Sequence, residues 1–266
     1  MLKLLSKRYS KILSLRRLPN SLRRLTDRLI PLEITLIDNN RITNMIQFHT
    51  VSKGYPTGEA LSNINLHLAP GEMAFLTGHS GAGKSTLLKL VGLLERPSRG
   101  QLWVNGQNLN KLSKRRIPYH RRTVGMIFQD HRLLHDRTIY DNVALPLVVA
   151  NVRHQDIKRR VQAVLDKVNL LGKAKSPPIS LSGGEQQRVG IARALVSKPP
   201  IVLADEPTGN LDPTLSQDIM QLFTDFNAVG VTLLIATHDI DLIQPLGKRI
   251  IQLKQGRVHA DTSTDR

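Results

Sequence analysis

From Met45 onward, short apolar runs bounded by glycine or proline alternate with longer stretches of helical periodicity. Met45–Val51 and Leu61–Leu68 alternate apolar and polar positions. They predict two strands of an antiparallel flap, turned at Gly54-Tyr55-Pro56-Thr57-Gly58. Glu72–Thr77 has the character of a buried strand, and Ser85–Val91 has helical spacing. Gln101–Val104 and Thr123–Phe128 predict further strands, and the basic stretch between them (Lys111, Lys114, Arg115, Arg116, Arg121, Arg122) predicts a solvated loop. From His131 to about Lys175 the pattern is helical, and Ser176-Pro177-Pro178 ends it. An inserted helical subdomain is therefore expected over about 131–180. A helix (185–197), a strand (201–204), a helix (214–228), a strand (231–236) and a hairpin turning near Gln255-Gly256 complete the chain. Strand and helix in alternation predict an α/β fold: a mostly parallel sheet core covered on both faces, with an antiparallel β flap and the helical insertion.

Length suits one such domain of about 220 residues with an appendage, set at 45–266 and 1–44. The apolar runs Val143–Ala150 and Val231–Ala236 are far shorter than the roughly 20 residues that span a bilayer. With no cysteine, disulfide scaffolds and thiolate metal sites are excluded, and a reducing, cytoplasmic setting is expected. Against 21 acidic residues stand 38 Lys+Arg, a net charge of +17 that favours anionic partners: nucleotide phosphates, acidic lipid or nucleic acid. Residues 1–44 hold ten of the basic side chains and three acidic ones, on two stretches of helical apolar spacing. They read as an upstream extension, unstructured or mis-started, that the fold does not use. A basic amphipathic surface helix and a transit peptide are the alternatives.

Three motifs carry chemistry. Gly78-His79-Ser80-Gly81-Ala82-Gly83-Lys84-Ser85, followed by Thr86, fits G-x-x-x-x-G-K-[ST] between a predicted strand and a predicted helix. Glycines let the backbone curl so that successive N–H groups face phosphate oxygens, and the helix adds its positive end. Lys84 supplies a point charge for the β and γ phosphates, and the Ser85 hydroxyl suits Mg²⁺. Apolar Ile201–Ala204 ends in Asp205-Glu206, a place for one carboxylate on Mg²⁺ and for a second that polarises a water beyond the γ-phosphate. Between the two lies Leu181-Ser182-Gly183-Gly184-Glu185-Gln186-Gln187-Arg188.

With these motifs the chain resembles the ATP-binding cassette ATPases over essentially all of 45–266, and Leu181–Arg188 is similar to their signature motif. The resemblance implies a head-to-tail homodimer sandwiching two ATP, in which Ser182, Gly183 and Gly184 reach the γ-phosphate held by the partner's phosphate loop. It implies that Gln129 is the glutamine that reaches Mg²⁺ or the attacking water, and that His238 is the switch histidine on the γ-phosphate. It further implies that Asp212 couples the two sites and that Tyr55 stacks on adenine. A finer likeness, through Phe75–Thr86, Gly125–His131 and Asp205–Asp212, is to the FtsE group of cell-division ATPases. It implies an integral membrane partner of FtsX type, contact with division-ring proteins, a place on the cytoplasmic face of the inner membrane at the division site, and work in septal cell-wall remodelling. Lipoprotein-release and macrolide-export relatives share Asp205–Asp212 and are the alternative within the family. A soluble nucleic-acid ATPase is a further one; no specific nucleic acid is expected. The apolar residues of 129–149 (Leu133, Leu134, Ile139, Tyr140, Val143, Leu147) are either core or a docking surface for the membrane partner.

Overall fold

A computed structural model describes residues 44–209 and 211–263; apart from Asn44, the extension 1–44 lies outside them. Strands β1 (Ile46–Tyr55) and β2 (Gly58–Leu68) form an antiparallel hairpin closed at Pro56-Thr57. Strand β1 also pairs with β4 (Arg99–Val104), which pairs with the short β5 (Gln107–Asn108), giving a four-stranded sheet in the order β2-β1-β4-β5. This is the expected flap.

The second sheet has the order β10-β9-β3-β8-β7-β6, built from β3 (Met73–Thr77), β6 (Val124–Ile127), β7 (Ile201–Asp205), β8 (Thr232–Ala236), β9 (Arg249–Lys254) and β10 (Arg257–Asp261). Every pairing from β9 to β6 is parallel, and only β10 runs antiparallel, at the edge. All residues of β3 and β8 are buried, as strands covered on both faces must be. Their side chains still alternate by the pleat. Met73, Phe75, Val202, Ala204, Leu233 and Ile235 enter one apolar cluster, and Ala74, Leu76, Ile201, Leu203, Leu234 and Ala236 enter the other.

Helix α1 (Lys84–Val91) and the flap fill the second cluster. The first is filled by α3 (Ile139–Val149), α4 (His154–Lys167), α5 (Gly183–Leu195) and α6 (Pro213–Ala228). The predicted helical insertion is thus α3 and α4, with short 3₁₀ turns at 171–173 and 178–180 leading into α5. Thr138 opens α3 through a capping box: its hydroxyl accepts from the Asp141 N–H, and Asp141 reaches back to the Thr138 N–H. Two expectations change. The basic stretch 111–122 is not simply a loop: Ile117–Arg122 forms helix α2, anchored by buried His120, whose Nε2 lies 2.8 Å from the Val91 carbonyl oxygen. Helical periodicity also runs ahead of the helix at 131–138, where His131 and Arg132 adopt positive φ.

Of the apolar residues in 129–149, Leu133, Ile139, Val143 and Leu147 are buried in the first cluster, and Tyr140 packs on it. They are core. The exposed apolar residues of this region are Leu134, Leu145, Val148 and Val149.

Candidate functional site

Parallel strands bring their carboxyl ends to one edge of the sheet, which is where α/β proteins bind ligands. Strand β3 ends there in the phosphate loop, β6 in Phe128-Gln129, β7 in Asp205-Glu206 and β8 in Thr237-His238.

In the phosphate loop the backbone turns through positive φ at Gly78, Gly81 and Gly83. A Cβ on Gly78 would lie 2.3 Å from the Leu253 carbonyl oxygen, and one on Gly83 would meet Leu61 Cδ2 at 2.6 Å and the Ala60 carbonyl oxygen at 2.8 Å. Two elements that are distant in sequence therefore clamp the loop: the flap and the β9–β10 hairpin. Gly256 in that hairpin donates to the Ala82 carbonyl and accepts from the Ser62 N–H. Ala82 is buried, His79, Ser80 and Gly81 face solvent, and Ser85 and Thr86 are half-buried. The first N–H groups of α1 have no acceptor inside the helix. With no side-chain cap on Gly83, they are available to an anion.

Lys84 is buried, and its ammonium donates to the carbonyl oxygens of Gly78 (2.7 Å) and His79 (3.4 Å). It also faces Glu206 Oε1 at 3.8 Å, while Glu206 Oε2 lies 2.9 Å from His238 Nδ1. One carboxylate thus links the phosphate-loop lysine to the histidine at the end of β8. Glu206 sits at φ 48°, a conformation that non-glycine residues adopt at a cost of about 1–2 kcal/mol. Its N–H is held by the Ala236 carbonyl at 2.9 Å. The direct Glu206–His238 contact is invisible in sequence, because 32 positions separate the two residues.

Asp205 Oδ1 is buried without a hydrogen-bond partner among the described residues. An orphaned carboxylate oxygen is costly unless something fills its lone pairs, and it suits a hard divalent cation. Among the described residues no group of three or more His, Cys, Asp or Glu could hold a metal by itself. That fits Mg²⁺, which takes one or two protein ligands and completes its shell with phosphate and water.

Tyr55, at the end of β1, is half-buried, with the Lys53 ammonium 4.9 Å from its ring centroid. Burial and the hydrogen bond with Glu95 push its phenol up from the ordinary range, while a hydrogen bond with Thr86 works the other way. These contacts seat the ring beside the start of α1. Gln129 is exposed after β6.

The signature stretch stands apart from this group. Ser182 caps α5, accepting from the Glu185 N–H at 3.3 Å while Glu185 Oε2 accepts from the Ser182 N–H at 3.1 Å. Lys173 pairs with Glu185. Ser182 and Gly183 are exposed, Gly184 is half-buried, and no hydrogen bond among the described residues joins them to the phosphate loop. Asp212 has a local duty that the sequence reading missed: it caps α6, accepting from the Leu215 N–H at 2.9 Å with Pro213 at the first helical position. An Asp-Pro pair ahead of a periodic run is the signal that would have found it.

The ABC transporter family matches residues 61–209. The cell-division ATP-binding protein FtsE of Escherichia coli is 61% identical over 216 residues, 81% of this chain and 97% of that protein. Its Haemophilus influenzae counterpart is 55% identical, covering 80% and 98%. The Bacillus subtilis one is 43% identical, covering 82% and 96%. The chain belongs to the ATP-binding cassette family. Within it, the chain is a member of the FtsE group and an ATPase. Among solved structures, a dimeric cassette in a post-hydrolysis state bound to ADP and Pi superposes with a TM-score of 0.78 at 37% identity, covering 82% of this chain and 97% of that one. A dimeric bacterial ABC transporter cassette gives 0.77 at 38% identity, with the same coverage. The cassette fold expected from the motifs is the fold observed.

Proposed function

We propose that this chain is the nucleotide-hydrolysing subunit of a membrane complex in cell division, working as a head-to-tail homodimer with two ATP between its subunits. The observation that carries the reading is the junction of Lys84, Glu206 and His238 at the sheet edge, beside the unpartnered oxygen of Asp205. In it, the loop Gly78, His79, Ser80, Gly81, Ala82 and Gly83 wraps the phosphates, the Ala82 N–H bracing the turn on the His79 carbonyl, and Lys84 neutralises them. Thr86 and Tyr55 border the nucleotide, Tyr55 by stacking on adenine. Ser85 and Asp205 hold Mg²⁺, with Gln129 reaching it or the attacking water.

Glu206 accepts the proton of that water. Its hydrogen bond to His238 orients the carboxylate, and the histidine acts as the switch residue that contacts the γ-phosphate. Exposed Ser182, Gly183 and Gly184 close over the partner subunit's γ-phosphate, and Asp212, at the start of α6, meets the partner across the interface.

The membrane partner is an integral protein of FtsX type, engaged through the exposed Leu134, Leu145, Val148 and Val149. Division-ring proteins and a place on the inner membrane's cytoplasmic face at the division site follow from that partnership. The dimeric, ADP- and Pi-bound relative and the names of the FtsE proteins support this reading. Residues 45–266 form the ATPase unit, and the extension 1–44 takes no part in it.

Glu206→Gln tests the assignment. The variant should bind ATP like the parent, lose about 10²-fold or more in kcat, and accumulate an ATP-bound dimer in gel filtration. Parent-like turnover would remove Glu206 from the role of base.

A further inference from the structure

Gln129 is exposed and makes no hydrogen bond of its own among the described residues, yet the segment around it is tightly closed. The Arg132 guanidinium lies over the Phe128 ring, 4.2 Å from its centroid, and its Nε donates to Asp130 Oδ1 at 3.1 Å. The His131 N–H donates to the Phe128 carbonyl at 3.2 Å. His131 and Arg132 both stand at positive φ, 56° and 47°, which L-residues adopt only when their surroundings impose it.

Arg193 imposes it. From α5 its Nη1 donates to the Arg132 carbonyl at 2.6 Å and its Nη2 to the His131 carbonyl at 2.5 Å. Three residues earlier on the same face, Gly190 lies beneath the same carbonyl, and an added Cβ would meet its oxygen at an ordinary 3.8 Å. Burial draws the Arg193 guanidinium below the ordinary arginine range, against the field of Asp130. No carboxylate bonds to it among the described residues, so a partly desolvated charge is spent on two backbone carbonyls. The helix that carries Arg193 begins at Ser182-Gly183-Gly184.

We propose that Arg193 is a positioning residue for ATP turnover: it locks the Gln129 segment onto the signature helix, so that the two contributions to the composite sites move as one piece. The fork matters because a planar guanidinium holds two carbonyls in fixed relation and an ammonium does not. The inference rests on the roles proposed for Gln129 and Ser182.

The test uses the purified full-length chain with Arg193→Ala and Arg193→Lys, each also combined with Glu206→Gln. Thermal unfolding, equilibrium ATP binding, kcat and KM are measured, together with ATP-dependent dimerisation in the Glu206→Gln background. Arg193→Ala should unfold cooperatively and bind ATP within about threefold of the parent, with kcat down about 10- to 100-fold and weakened dimer trapping. Arg193→Lys should recover kcat only in part. Unchanged kcat in folded Arg193→Ala, full recovery in Arg193→Lys, or a loss of kcat that merely tracks lost ATP binding would each overturn the proposal. If Arg193→Ala does not fold, Arg193→Lys carries the same expectation, and unfolding of both would reduce the residue to a purely structural one. Failure of Glu206→Gln alone to trap a dimer would instead strike at the composite-site reading, independently of Arg193.

Discussion

Glycine serves two different ends in this chain, and single substitutions separate them. Gly78 stands at φ +138 with a backbone oxygen 2.3 Å from where a Cβ would be, so the β9–β10 hairpin must move to admit a methyl group. Gly183 has a helical position, no positive φ and nothing within 4 Å of an added Cβ. Gly78→Ala should therefore lower the thermal midpoint and weaken ATP binding together. Gly183→Ala should leave stability within about 1 kcal/mol of the parent and still reduce ATPase by about tenfold or more, because in the proposed composite site its backbone serves the partner's nucleotide and not its own fold. Unfolding scans paired with turnover assays decide both. Full ATPase in Gly183→Ala would remove the signature from the γ-phosphate. Glu206 obeys neither local propensity nor pattern, since its left-handed φ is imposed by the Ala236 carbonyl. Strain at the proposed base fits a group held for chemistry rather than for the fold.

Helix α3 shows what periodicity can and cannot give. Apolar residues occupy most of its positions, so the pattern alone leaves its buried face undefined. Packing against the first apolar cluster assigns Ile139, Val143 and Leu147 to the interior, and leaves Val148 and Val149 57% and 55% exposed. Val143→Glu should fail to fold, because it buries an unpaired carboxylate. Val148→Glu should fold, bind ATP and hydrolyse it, yet fail to co-purify with the membrane partner. Co-expression with that partner and affinity capture measure the difference. Capture of the partner at parental yield by Val148→Glu would sink the docking assignment. Helix α5 begins at Gly183, two residues ahead of the expected 185, because Ser182 and Glu185 form a capping box three positions apart, a signal that the apolar pattern alone passed over. Its grip on the Gln129 segment was not legible at all, because the acceptors of Arg193 are backbone carbonyls, which carry no signature in the sequence.

Arg249 ties the flap, the central sheet and the last strand together. From β9 its guanidinium donates to Glu72 Oε1, the His67 carbonyl and both carboxylate oxygens of Asp261, and the side chain is 8% exposed. Burial is the largest single influence and raises the Asp261 pKa, but the Arg249 hydrogen bonds and charge together with the hydrogen bonds from Ser263 outweigh it and hold the carboxyl below the ordinary aspartate range. The folded state therefore binds this proton less readily than the unfolded chain. The stabilisation is complete above the unfolded value of about 3.9 and is lost as pH falls through the depressed folded one. Asp261→Asn should cost about 1 kcal/mol at pH 6, allowing for solvent screening of a partly exposed carboxylate. That difference should shrink as pH falls below the unfolded value of about 3.9 and through the depressed folded one. Urea titrations of parent and variant across this range test it, and a gap that stays constant with pH would remove the ion pair from the account.

The chemistry of this protein was legible from sequence wherever it depends on local rules. A glycine-rich turn between strand and helix and two carboxylates at the end of an apolar strand each satisfy a short-range requirement, so spacing alone places them. The same holds for the mostly parallel sheet, because alternating strands and helices pack back on one another in few ways. Decisions that depend on distant parts of the chain belonged to the tertiary structure. These include the Glu206–His238 contact, the backing of the phosphate loop by the flap and the C-terminal hairpin, and the choice of which apolar residues of α3 stay exposed. Each is a contact between elements far apart in sequence, and such contacts exist only once the sheet has brought the ends of its strands to one edge.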